Sequence, residues 1–138
     1  MLKKIALFFV LSIASATVAL AANYIEPQEL KELFDKKKPV ILVDIQPATD
    51  FEVQHLPGSI ETNAFPAKTD EEKARLDKAL TVIKASKDPV VVVCPRGKSG
   101  AKNSYQYLES KGVPEDRMQI LEGGIAEWPF KELFVKGR

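Results

Sequence analysis

Two rhythms of apolar and polar residues alternate along this chain. Short runs that are apolar at nearly every position, "VILV" at 40–43, "VVVV" at 90–93 and "MQIL" at 118–121, stand beside proline, glycine or acidic residues. Runs of that length, rich in β-branched side chains, suit strands buried on both faces. Between them the apolar residues recur at helical spacing. "EPQELKELFDKKK" (26–38) sets Leu30, Leu33 and Phe34 on one face, with Pro27 suited to a first helical turn. "TDEEKARLDKALTVIKAS" (69–86) predicts one continuous helix, with Thr69 and Glu72 as a capping box and Leu76, Ala79, Leu80 and Ile83 as its buried stripe. "SGAKNSYQYLESKG" (99–112) brings Ala101, Tyr105 and Leu108 into register and stops at Gly112. "ATDFEVQHLPGSI" (48–60) predicts a short helix, a turn at Pro57-Gly58 and a small strand near Ile60, and "GIAEWPFKELF" (124–134) a terminal helical segment.

Doubly buried strands alternating with amphipathic helices predict an α/β fold whose parallel sheet is covered on each side. In such sheets, sites lie at the carboxyl ends of strands, in the loops that lead to the next helix. Asp44 and Cys94 both occupy such ends.

The length of 138 residues suits one domain with a real core. The first stretch stands outside that core. "MLKKIALFFVLSIASATVALA" has a basic start, an apolar middle and Ala19-Leu20-Ala21, the layout of a secretory signal peptide cleaved after residue 21. The apolar run, interrupted by Ser12, Ser15 and Thr17, is marginal for a membrane span. The expectation is a leader at 1–21, a single domain over 22–138, and a periplasmic or secreted protein without stable membrane association after cleavage. Loss of Lys3 and Lys4 would leave 18 bases against 19 acids, a balance that gives no reason to invoke nucleic acid.

Export changes the meaning of Cys94, the only cysteine. In an oxidising compartment a thiol usually pairs, and one without a partner is either inert and buried or reactive. With no CxxC and a single histidine, dithiol exchange and a structural zinc site are both disfavoured. The loop Cys94-Pro95-Arg96-Gly97-Lys98-Ser99-Gly100 must turn sharply between a strand and a helix, and its glycines permit the turn. Successive N–H groups can then converge into an anion-binding nest, to which the helix start near Ser99 adds its dipole and Arg96 and Lys98 add full charges. A thiol in that field is expected to ionise more readily and to act as a nucleophile beside a bound anion.

Three patches resemble the rhodanese-like sulfurtransferases in their single-domain form. "LVDIQPATDFEVQHLPGSI" (42–60) resembles the first signature of that family, "CPRGKS" (94–99) its six-residue active loop, and "GGIAEW" (123–128) its C-terminal signature. The resemblance implies a central, mostly parallel sheet of about five strands with helices on both faces. It implies ping-pong sulfur transfer, with Cys94 as the persulfide-forming nucleophile and no cofactor beyond that covalent sulfur. Pro95, Arg96, Gly97, Lys98 and Ser99 would bind the donor, a small sulfur-containing anion such as thiosulfate or polysulfide. A thiol, cyanide or a partner protein would accept the sulfur. The alternative is a persulfide carrier or interaction module serving a partner enzyme of sulfur metabolism. Gln46, Pro95 and Ser99 stand where the family often has other residues, arginine among them. The phosphatases of this fold carry an arginine six positions after the cysteine, where this chain has Gly100. Asp44 is expected to support the loop from behind, and His55, Gly123, Gly124 and Trp128 to serve structure.

Overall fold

The computed structural model describes residues 22–138, so the leader expected at 1–21 lies outside the described residues. Five parallel strands form one sheet: β1 (Tyr24–Ile25), β2 (Ile41–Asp44), β3 (Ile60–Glu61), β4 (Val90–Val93) and β5 (Met118–Leu121), in the order β1-β5-β4-β2-β3. Helices α1 (Pro27–Asp35), α2 (Ala48–Val53), α3 (Asp70–Ala74), α4 (Asp77–Lys84) and α5 (Ser99–Ser110) connect them.

β4 is central, and Val90 to Val93 are fully buried on both faces. Burying a valine side chain contributes about 1.5–3 kcal/mol, so this strand is a main contributor to the core. Alternation along the strands divides that core in two. Val43, Val90, Val92 and Ile120 face α4 and α5, packing with Leu80, Ile83, Tyr105 and Leu108. Leu42, Val91, Val93 and Leu121 face the other way, toward Leu30 of α1, Ile125 and Trp128. Gly112, with φ +95°, ends α5 as expected, letting Val113 N–H donate back to the Leu108 carbonyl at 3.1 Å.

The structure departs from the sequence reading in three places. The expected helix over 69–86 is two helices. Its capping box is present, but at Arg75 and Leu76 the backbone tightens to i→i+3 bonds, to Glu72 and Lys73. That turn buries Leu76 completely and sends the Arg75 guanidinium to the Asn63 carbonyl at 3.0 Å. The expected terminal helix over 124–134 is instead a series of turns with one 3-10 turn at Lys131–Leu133. Gly123 and Gly124 take φ of +73° and +59°, and Pro129 has no N–H for a helical bond. The chain then returns to pair Val135 with His55 in an isolated antiparallel bridge. The third departure is β1, a two-residue edge strand too short to show any period.

From β2 the chain moves outward to β3, then crosses back to β4 on the other side of β2. The connections after β2 and β4 therefore diverge, and a crevice opens between them at the strand ends.

Candidate functional site

Cys94 follows β4 directly, and the residue is 1% exposed. The loop curls around it. The Gly97 N–H donates to Cys94 Sγ, and the backbone amides of Arg96, Lys98 and Ala101 also favour charge on the sulfur. Burial acts against them and prevails, raising the thiol above its ordinary range. The expected easier ionisation is thus corrected: desolvation of the enclosed sulfur outweighs the amide nest.

Three glycines make this geometry possible. Gly97 has φ +69°, and a Cβ there would lie 2.7 Å from the Gly123 nitrogen. A Cβ on Gly124 would strike the Cys94 carbonyl oxygen and the amides of Arg96 and Gly97. A Cβ on Gly100 would lie 2.8 Å from the Phe65 ring. The segment after β5 is a backbone template for the loop: Ile125 N–H donates to the Cys94 carbonyl and Ala126 N–H to the Pro95 carbonyl, each at 2.9 Å.

A cavity of about 340 Å³ opens over the sulfur, lined by Pro47, Asp50, Phe65, Cys94, Pro95, Arg96, Lys98, Ser99 and Gly100. The loop residues singled out in the sequence are therefore together. Arg96, Lys98 and Ser99 are exposed and Pro95 is half-buried at the rim, while Gly97 lies behind and contributes its amide. A second cavity of about 250 Å³ shares Asp50, Pro95 and Arg96 and extends over Gln46, Val53 and Ile125.

Asp44 lines neither cavity. It is fully buried at the end of β2. Its carboxylate accepts from the Gln46 backbone N–H at 2.8 Å and the Gln46 Nε2 at 2.9 Å. Gln46 Nε2 also donates to the Gln54 carbonyl at 3.1 Å. With a neutral amide as its hydrogen-bonding partner, the carboxyl is pushed up to about 6, chiefly by burial. His55 is buried against α2: its ring stacks on Phe51 at 3.8 Å, and Nδ1 lies 2.9 Å from the Phe51 carbonyl. Trp128 is buried, with its indole N–H donating to the Phe130 carbonyl at 2.9 Å.

Sequence reasoning missed Asp50 and Phe65. Asp50 is one polar residue of a short helix, and Phe65 lies in a loop without periodicity. Only the return of the 62–68 segment against α5, seen in the bond from Asn103 to the Pro66 carbonyl at 3.1 Å, brings the ring over the loop.

A family model described as the rhodanese-like domain matches residues 26–130. Thiosulfate sulfurtransferase GlpE of Pseudomonas savastanoi pv. phaseolicola is 28% identical over 104 residues, covering 75% of this chain and 84% of that protein. Adenylyltransferase and sulfurtransferase MOCS3 of Drosophila virilis is 28% identical over 113 residues, covering 78% of this chain, but this chain spans only 24% of that protein. Among solved structures, a rhodanese-like domain protein from Staphylococcus aureus superposes with a TM-score of 0.59 at 23% identity, covering 84% of this chain and 99% of that one.

Proposed function

The chain belongs to the rhodanese-like family, and from that premise we propose that it is a sulfurtransferase acting through a persulfide on Cys94. The supporting observation is the set of loop amides, led by Gly97 N–H, turned toward a sulfur that lines the cavity shared by Arg96 and Lys98. The Cys94 thiolate attacks the outer sulfur of a donor such as thiosulfate. A new sulfur–sulfur bond forms at Cys94 as the donor's own breaks, and the donor remainder, sulfite for thiosulfate, departs with the bonding pair. An acceptor thiolate or cyanide then takes the outer sulfur and returns Cys94 as thiolate. The transfer is thereby split into two covalent steps. Burial makes the thiolate costly, and the converging amides offset part of that cost for the thiolate and for the persulfide. Arg96 and Lys98 at the rim attract an anionic donor.

Intact-mass measurement after incubation with thiosulfate or polysulfide tests this reading. Wild type should gain one sulfur atom and Cys94→Ser none. Equal gain by both, or by neither, overturns it.

A second reading is a carrier that delivers sulfur to a partner protein. In the MOCS3 relatives the matching region is a fraction of a chain whose name joins adenylyl transfer to sulfur transfer. Stoichiometric loading without turnover on thiosulfate and cyanide would favour the carrier. We further propose cleavage of 1–21 on export, to be tested by N-terminal sequencing of native protein: Ala22 is expected, and Met1 overturns it.

A further inference from the structure

The cavity over Cys94 holds charges of both signs, and they are not spent on one another. Arg96, Lys98 and Asp50 all line it. The side-chain ion pairs among the described residues are Lys31–Asp35, Arg75–Glu71 and Arg138–Glu61, none of which involves these three. Asp50 stands on α2, across the crevice from the cysteine loop, and shares both cavities with Arg96. Pro47 and Phe65 add apolar wall between the charged groups.

This set is poorly matched to a small dianion. With Cys94 ionised, two positive side chains face two negative groups, Cys94 and Asp50, so Asp50 offsets part of the attraction that Arg96, Lys98 and the loop amides offer to a dianion. The space is also generous: about 340 Å³ corresponds to roughly ten waters, far more than a thiosulfate ion fills. A molecule that carries both charges on a short carbon frame uses every group. Its carboxylate faces Arg96 or Lys98, its ammonium faces Asp50, and its methylene lies against Pro47 or Phe65.

We infer that the preferred sulfur donor is the hydropersulfide of a zwitterionic α-amino-acid thiol, with Asp50 as the residue that selects its ammonium. The inference rests on the persulfide reading above. In the step, the Cys94 thiolate attacks the outer sulfur of RS–SH, a bond forms between the two sulfurs, and the RS–S bond breaks. Cys94 becomes Cys–S–SH, and the free amino-acid thiolate leaves with the electron pair, taking a proton from water. No oxidant or reductant is consumed.

The test measures Cys94 loading by intact mass against concentration for four donors: cysteine hydropersulfide, cysteamine hydropersulfide, 3-mercaptopropionate hydropersulfide and thiosulfate. Wild type should show its lowest half-saturation with cysteine hydropersulfide. Asp50→Asn should raise that half-saturation by about two- to fivefold, the range of one partly exposed charge contact, and lower that of thiosulfate. It should leave the carboxylate-only donor at or below its wild-type value. If Asp50→Asn moves all four donors in the same direction, or moves none, selection by Asp50 is refuted while the persulfide reading stands. If thiosulfate loads wild type at lower concentration than cysteine hydropersulfide, the donor class is wrong. Failure of every donor to load wild type overturns the sulfurtransferase reading itself, and this inference with it.

Discussion

Two loops leave the sheet side by side, one after β2 and one after β4, and they are built on opposite principles. The loop after β4 is organised by backbone. Its amides converge on Cys94, and its shape is copied from the backbone after β5 through Gly97, Gly123 and Gly124. Its charged side chains, Arg96 and Lys98, lie at the exposed rim. The turn after β2 is organised by side chains. A buried carboxylate, Asp44, binds both the backbone and the side chain of Gln46, and Gln46 reaches Gln54. A backbone-built loop should tolerate changes in its outward side chains and fail when a Cβ enters its template. A side-chain-built turn should instead carry its weakness in the ionisation of one group.

The sharpest way to break that contrast is at Gly124. Gly124→Ala forces a Cβ into the Cys94 carbonyl at φ +59°. Left-handed strain and the collision with rigid backbone together should cost about 3–5 kcal/mol. Urea denaturation should show that loss, and any folded fraction should load sulfur far more slowly than wild type. A variant of wild-type stability and loading rate would mean that the loop does not depend on its template.

Asp44 gives the next largest effect, and its sign is opposite to that of a salt-bridged carboxylate. Its carboxyl titrates at about 6 in the folded protein, above the 3.8 of an unperturbed group. The folded state therefore binds the proton more tightly, and the stability this supplies is present below about pH 4 and lost as pH rises through 6. A shift of two units corresponds to about 3 kcal/mol. Asp44→Asn removes the titration, so the stability difference between variant and wild type should move in favour of the variant by about that amount between pH 4 and 7. Parallel pH profiles in denaturation experiments would show that Gln46 solvates the carboxylate as well as water does.

The smallest effects belong to the rim. Arg96→Ala and Lys98→Ala should each raise the half-saturation for thiosulfate by about two- to fivefold, with little change in thermal stability. High salt should shrink the difference, because exposed charges are screened. A change above a hundredfold would place these side chains inside the backbone cradle and erase the contrast between the two loops.

Local pattern and chain order carried much of the fold. The valine run specified a strand buried on both faces, the helical spacings specified α1, α5 and helix within 69–86 without its break, and strands alternating with helices specified a parallel sheet. That arrangement placed Cys94 and Asp44 at strand ends, and the glycine-rich loop after Cys94 marked it as the candidate centre. Tertiary structure decided the rest, because the deciding contacts join residues far apart in the chain. The break at Arg75 depends on the Asn63 carbonyl. The pattern over 124–134 suggested a helix, and only the positive φ of Gly123 and Gly124 and the return of the chain to His55 set its actual path. Asp50 and Phe65 became part of the site through a crevice that exists because β2 and β4 are neighbours. The state of the thiol was decided in the same way. The sequence displayed the charges and amides that favour a thiolate, whereas burial, which opposes it, is a property of the packed protein alone.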